Sequence, residues 1–160
     1  MFSFLFSVVL YSAFSWAEEP LPNVDIYEDA VVQEAQTLLN VEILVIHATT
    51  DHSQKDERIQ PLLKYFANYK YTGYNLLDEQ TTKLTDKQNK SFSLPSDLKM
   101  IVEILSHNET QAKVLVKITG QKDDHKYLDS TITVPRNSNF MVAGPKYNNG
   151  ILIFPLSVKY

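Results

Sequence analysis

The sequence predicts an α+β fold: a mainly antiparallel β-sandwich or open barrel with one packed helix, preceded by an N-terminal helix. Three observations support this fold class. Apolar segments with a two-residue alternation recur about every 8–12 residues after residue 70. One internal segment, residues 56–68, has helical spacing instead. The closing segment, residues 140–155, holds two of the four glycines and an Asn-Gly pair between two apolar runs, which is typical of a hairpin.

Residues 1–17 are predicted to be a secretory signal peptide. The segment up to Trp16 is uncharged and apolar, and Ser15 and Ala17 place small residues where a signal peptidase requires them. The apolar part is shorter than the roughly 20 residues of a transmembrane helix. A basic residue is missing before the apolar run, so an uncleaved anchor stays open as an alternative.

Residues 18–40 are predicted to form an acidic linker and an amphipathic helix. They contain six acidic residues and no Lys or Arg, whereas residues 41–160 hold all 15 basic residues and 13 acidic ones. Apolar residues at helical spacing predict the helix over residues 28–39. Its apolar stripe, which includes Val31 and Leu38, requires a covering surface, and we assign both residues to partner binding.

Residues 41–160 are predicted to form a single β-rich domain. Residues 41–49 are apolar on both faces, as expected for a strand that is covered on each side. Further strands are predicted over residues 71–77, 91–94, 98–105, 111–119 and 126–134, and a polar connection over residues 78–90. Pro155 lies in the last apolar run and favours an edge or bulged strand there.

Composition excludes several classes of protein. A length of 160 residues with 44% hydrophobic and 21% charged residues is typical of one globular domain behind a leader. The chain has no cysteine, which excludes disulfides and thiolate metal sites. An acidic segment before a nearly neutral body does not fit nucleic-acid binding, which requires a basic surface.

No motif in the sequence predicts a catalytic, metal or cofactor site. The four histidines lack the spacing that places ligands on one face, and no nucleophile elbow or phosphate-binding glycine loop occurs. Asp51 and His52, after the first strand, are the best placed titratable pair for an enzyme. A polar loop beside a core histidine at His47 is the simpler interpretation.

A tyrosine cluster spans the junction between the internal helix and the next strand. Tyr65, Tyr69 and Tyr74 belong to it, and tyrosine suits contact surfaces because it joins apolar area to a hydroxyl group. We assign these three residues to partner binding. The alternative, in which half of the cluster packs the helix against the sheet, stays open.

Residues 41–160 resemble a family of small exported proteins of unknown function from myxobacterial and Bdellovibrio-type bacteria. The resemblance rests on the strand at residues 41–49, the helix with Pro61, residues 71–77, Leu94-Pro95, and above all residues 140–153. It implies export to a bacterial envelope and supplies neither an activity nor catalytic residues.

Together, these features favour a non-enzymatic protein, exported to the periplasm or cell surface, that acts as an accessory or binding component of a cell-envelope assembly. The expected partner is an envelope protein, with membrane contact only through an uncleaved signal. Two alternatives stay open. One is a small exported hydrolase or inhibitor that uses Asp51 and His52, and the other is a carbohydrate-binding module that uses Tyr65, Tyr69 and Tyr74.

Overall fold

The computed structural model describes residues 36–123 and 125–160, and within them the chain forms two four-stranded sheets. Sheet 1 has the strand order β2-β1-β8-β7 and sheet 2 has the order β3-β4-β5-β6. A 3₁₀ helix, Glu57–Phe66, connects β1 to β2. The strands are β1 (Leu39–Thr49), β2 (Gly73–Leu84), β3 (Asn89–Leu94), β4 (Leu98–His107), β5 (Gln111–Gly120), β6 (Lys126–Pro135), β7 (Asn139–Tyr147) and β8 (Gly150–Lys159).

All strand pairs are antiparallel, and the chain runs up and down through them before β8 returns to pair with β1. Ladder pairing is interrupted between β2 and β3 and between β6 and β7. At the first of these seams the Gln80 side chain donates to the Ser93 carbonyl at 2.9 Å. The predicted, mainly antiparallel sandwich is therefore confirmed, as two sheets without a closed barrel.

The up-and-down course collects the turns at two ends. The groove end holds the C-terminus of β1, the loops around the 3₁₀ helix and the β7–β8 hairpin. The closed end holds the β4–β5 and β6–β7 turns and Tyr160. The two ends are about 33 Å apart along β1, since each strand residue advances the chain by about 3.3 Å.

The main core lies between the two sheets. Alternating side chains of β1, β4, β5 and β8 point into it, because successive residues of a strand face opposite sides of the sheet. Full burial of one such side chain stabilises the fold by about 1.5–3 kcal/mol. Fully buried members include Val41, Ile43, Val102, Val116, Phe154 and Leu156.

A second apolar cluster covers the outer face of sheet 1 near the groove end. Ile46 and Ala48 of β1 lie there together with Ile59, Leu62 and Phe66 of the 3₁₀ helix. The prediction that the first strand is covered on both faces is confirmed for its second half. Its odd-numbered residues from Leu39 to Val45 face the main core, and Leu44, Ile46 and Ala48 face this cluster. Nearer the closed end, Glu42 is half-buried and paired with Lys159 instead.

The predicted internal helix is present, and it begins one residue after Asp56. The Asp56 carboxylate accepts from the Arg58 backbone N–H at 3.0 Å and so caps the helix. Pro61 lies inside the helix, and the whole segment is 3₁₀ rather than α-helical. Three side chains, Ile59, Leu62 and Phe66, are buried from one face and fix the helix to sheet 1.

Two sequence predictions near the ends of strands require correction. The helix predicted over residues 28–39 is not helical where the structure describes it, because residues 36–38 have no regular structure and Leu39 begins β1. Its earlier part, including Val31, lies outside the described residues. The polar connection predicted from residue 78 is also wrong at its start: β2 continues to Leu84 beyond a register shift opposite Val45 and Ile46.

The closing hairpin is confirmed, but its last strand is not at an edge. Asn148 and Asn149 connect β7 to β8, and Asn148 takes a φ of 46°, a conformation that asparagine tolerates well. β8 pairs with β7 on one side and β1 on the other. Pro155 is accommodated because the β1–β8 pairing is interrupted opposite Leu44 and Val45.

Among the residues described, no helix is long and apolar enough to cross a membrane.

Candidate functional site

A groove opens on the outer side of sheet 1, where the 3₁₀ helix meets the N-terminus of β2. Its volume is about 300 Å³. Apolar and aromatic side chains line it together with a serine and a threonine, and an exposed lysine stands at its rim. We call it the tyrosine groove; its principal lining residues are Lys55, Leu63, Phe66, Tyr69, Tyr71 and Tyr74.

Backbone pairing beside β2 fixes one wall of the tyrosine groove. The Tyr74 N–H donates to the Gln54 carbonyl and the Asp56 N–H donates to the Tyr74 carbonyl, each at 2.9 Å. This short segment covers the first residues of the β2 edge, which would otherwise present free N–H and C=O groups. Lys55 is therefore held at the rim by the backbone on both sides of it.

Tyr74 supports the groove from below and is not a contact residue. It is only 3% exposed, its ring stacks on Phe66 at 4.8 Å, and its hydroxyl donates to the Tyr71 carbonyl at 3.0 Å. Burial raises the pKa of this hydroxyl. The assignment of Tyr74 to partner binding is corrected accordingly: its aromatic area is already covered by the helix.

Tyr65 and Tyr69 lie at the surface of the same region. Tyr65 is 37% exposed, with the Lys64 Nζ atom 5.0 Å from its ring centroid. Tyr69 is half-buried and meets Phe66 edge to face at 6.1 Å. Both side chains therefore expose aromatic area near the end of the 3₁₀ helix. Tyr69 and Tyr71 line the groove, with Lys70 Nζ 5.6 Å from the Tyr71 ring, whereas Tyr65 is not among its lining residues.

Leu38 is exposed but does not belong to this surface. It is 58% exposed and precedes β1 at the closed end. The tyrosines lie beyond the other end of the same strand, about 33 Å away. Of the assigned partner-binding residues with described positions, the structure thus brings Tyr65 and Tyr69 together and separates Leu38 from them.

Asp51 and His52 are held in separate hydrogen-bond networks. The Asp51 carboxylate accepts from the Asn149 side-chain amide at 3.0 Å, which ties the β1 loop to the β7–β8 turn. The His52 Nδ1 atom accepts from the Gln54 N–H at 3.2 Å. No hydrogen bond joins the two side chains within the described part of the chain, so their geometry is not that of a nucleophile-activating pair.

His52 also contacts the first residues of β2. Its Nε2 atom lies 3.1 Å from the Asn75 side-chain Nδ2 atom. The ring packs on Gly73, where any Cβ atom would collide with it. His52 therefore locks the start of β2.

His47 points between the sheets at the groove end. Its ring meets Tyr147 edge to face at 5.1 Å, and its Nε2 atom is buried without a hydrogen-bond partner among the described residues. The simpler sequence interpretation, a histidine inside the domain, agrees with this position.

A cationic cleft lies on the other side of Tyr71 and was not singled out from the sequence. It measures about 290 Å³, and Lys70 and Lys146 line it with Thr50, Asn148 and Asn149. The sequence does contain a related pattern, because five of the nine tyrosines directly follow a lysine, including Tyr65, Tyr71 and Tyr147. This pattern does not indicate which of the Lys-Tyr pairs lie close together in the folded chain.

No group of three or more His, Asp or Glu side chains that could hold a metal ion occurs among the described residues. Comparison with protein-family models, curated proteins and solved structures gave no match. The resemblance to exported myxobacterial and Bdellovibrio-type proteins therefore stays a prediction.

Proposed function

We propose that this chain is a non-enzymatic exported protein that serves as a binding component of a bacterial cell-envelope assembly. Its contact surface is the tyrosine groove together with the exposed ring of Tyr65. The single observation that carries the proposal is this groove of about 300 Å³, which leucine, phenylalanine and tyrosine side chains line together with polar residues. Export is supported by the apolar leader that ends at Ala17.

The composition of the groove favours a protein partner. Tyrosine and other aromatic residues dominate the energetic centres of protein interfaces, because they desolvate a large area at a small cost in side-chain entropy. Leu63 and Phe66 supply an apolar base, and Tyr69 supplies a ring that still has exposed area. A partner side chain that fills the groove would gain most of the binding energy there.

A binding role is also supported by the structural role of the titratable pair. Asp51 and His52 each hold a loop in place through hydrogen bonds to Asn149, Gln54 and Asn75. The carbohydrate-binding alternative loses one of its three stacking residues, since Tyr74 is buried.

The test is capture of the partner from the native envelope after mild crosslinking, with the tagged full chain as bait. Tyr69→Ala combined with Tyr65→Ala is expected to remove the partner while the fold is retained. Tyr127→Ala is the matched control, because Tyr127 is 46% exposed on β6, in the other sheet. Equal capture by the wild type and the Tyr65/Tyr69 double variant would overturn the proposal.

A deletion tests the contribution of the acidic segment separately. It should remove residues 18–35 and stop there, because β1 begins at Leu39. Weaker capture with an unchanged unfolding temperature is the result expected if the segment adds to the interface.

A further inference from the structure

We infer that the cationic cleft between Lys70 and Lys146 is an anion-binding subsite that takes a carboxylate group of the protein partner. The inference rests on the proposed function and specifies the chemistry of that partner. It requires an acidic residue next to an apolar or aromatic one in the partner segment.

The cleft is built from three parts of the chain that meet at the groove end. Lys70 and Tyr71 come from the connection between the 3₁₀ helix and β2, Thr50 follows β1, and Lys146 is near the end of β7. Strand pairing fixes the last of these, since Lys146 lies opposite Ile151 and Tyr147 opposite Gly150. The two lysines therefore reach the cleft from separate parts of the chain.

Among the described residues, the positive charge of the cleft is not ion-paired. Neither Lys70 nor Lys146 forms an ion pair with another described residue, and both side chains are exposed. One carboxylate, that of Asp51, is tied to the cleft through Asn149, whose amide donates to it at 3.0 Å. Two lysines near a single carboxylate can balance the charge of a second anion.

The other polar groups of the cleft can complete its coordination. Thr50 and Asn148 both line it, and their side chains carry a hydroxyl and an amide group. Lysine acts as a mobile point charge, so it suits a carboxylate whose exact orientation is set by other contacts. Hydroxyl and amide donors provide those contacts.

Tyr71 connects the cleft to the tyrosine groove, because it lines both. A ligand that crosses Tyr71 therefore meets apolar surface on one side and two ammonium groups on the other. This arrangement specifies an acidic residue beside an apolar one in a single peptide segment.

The first experiment uses defined probes, because the partner itself is not identified. We would titrate the full mature chain with the peptide acetyl-Glu-Phe-Glu-amide, with acetyl-Gln-Phe-Gln-amide and with inorganic phosphate, following backbone amides by NMR at constant ionic strength. The glutamate peptide is expected to bind about fivefold tighter than the glutamine peptide, the gain that a few exposed ion pairs provide. The shifts should centre on Thr50, Tyr71 and Asn149.

Variants assign this preference to the two lysines. Lys70→Gln combined with Lys146→Gln should remove the fivefold difference, whereas Lys113→Gln, an exposed lysine of β5, should leave it intact. Equal binding of both peptides by the wild type would overturn the inference. Phosphate binding at the cleft without any preference for the glutamate peptide would also overturn it, in favour of a free anion.

Envelope capture separates this inference from the proposed function. If the Tyr65/Tyr69 double variant loses the partner while the Lys70/Lys146 double variant keeps it at both low and high salt, the carboxylate subsite is wrong and the binding function stands. If both double variants capture as the wild type does, the proposed function itself is wrong.

Discussion

Both ends of the sandwich place cations beside tyrosines, but among the described residues only those of one end lack a hydrogen bond or an ion pair. At the closed end, the Arg136 guanidinium lies 4.9 Å from the Tyr160 ring centroid and donates to the Tyr160 carbonyl. The Tyr160 hydroxyl donates to the Asn108 carbonyl at 2.7 Å. The guanidinium also donates to the Glu109 carbonyl at 3.4 Å, so these groups bond to other parts of the same chain.

At the groove end, the corresponding groups face outward. Lys64 and Lys70 lie over Tyr65 and Tyr71 without an ion pair among the described residues, and cavities open beside Tyr71 on two sides. Arginine forms directed bonds in a fixed plane, whereas lysine is a flexible point charge. The contrast indicates that the closed end stabilises the fold and that the groove end is the part available for recognition.

The 3₁₀ helix is what makes the groove end different, and Phe66 is its main attachment. Phe66→Ala should lower the free energy of unfolding by about 3–5 kcal/mol, because it removes a buried ring and its stacking on Tyr74. Phe92→Ala, which deletes an equally buried ring of β3, is the control. The backbone amides of Glu57–Phe66 should exchange faster with solvent in the first variant and not in the second. Identical exchange patterns in the two variants would contradict the role of Phe66 in attaching the helix.

The β7–β8 hairpin carries one wall of the cationic cleft, and Gly150 holds it against β1. A Cβ atom at Gly150 would collide with the Ala48 carbonyl, which belongs to the backbone and cannot move aside. Gly150→Ala is therefore expected to cost about 1–3 kcal/mol in chemical denaturation. Asn148→Gly, two residues earlier at a φ of 46°, should stay within about 0.5 kcal/mol. A neutral Gly150→Ala variant would show that the hairpin is not tightly packed on β1.

Hydroxyl deletions compare the two ends directly. Tyr160→Phe should lower the free energy of unfolding by about 1 kcal/mol, because its hydroxyl bonds the Asn108 carbonyl. Tyr71→Phe should be close to neutral for stability, because the Tyr71 hydroxyl has no hydrogen bond to another described residue. Calorimetry of the two variants measures which substitution lowers the stability more. If Tyr71→Phe proved the more destabilising, the distinction between a closed end and an open end would fail.

The strands that face the main core were predictable from the sequence, and those that do not were only partly so. Alternation located β4 and β5 within two residues, because one face of each is buried and the other is solvated. The second half of β2 escaped detection since Glu79, Thr81 and Lys83 are exposed there at the edge of sheet 1. Its strand character comes from pairing with β1, which is a long-range contact.

The candidate site was predictable to a smaller extent. Tyr65 and Tyr69 stood out because they cluster in sequence, and that cluster also contained Tyr74, whose burial depends on the packing of Phe66. Lys70 and Lys146 could not be paired from the sequence, because only the return of the β7–β8 hairpin to the groove end brings them together. Residues that come together only through the strand topology leave no pattern in the local sequence.

The smallest predicted effect concerns the start of the 3₁₀ helix. There the charge of Arg58 is paired with Asp56, whereas Lys64 and Lys70 form no ion pair among the described residues. Arg58 bonds both carboxylate oxygens of Asp56, at 2.9 and 2.6 Å. These bonds and that from the Arg58 backbone N–H lower the pKa of Asp56 from 3.8 to about 2. A lowered pKa in the folded state means that this group stabilises the fold above about pH 4 and that its contribution is lost as the pH falls towards 2.

Asp56→Asn keeps a capping oxygen but removes the charge, so it isolates this term. The wild type should unfold at a slightly higher temperature than the variant at pH 7. The difference between the two should shrink between pH 4 and pH 2, because protonation then makes Asp56 neutral as well. Glu57→Gln, one residue later and without an ion pair in the described chain, is the control and should show no such convergence. A difference between wild type and Asp56→Asn that is constant from pH 7 to pH 2 would mean that the Arg58 contact does not contribute through charge.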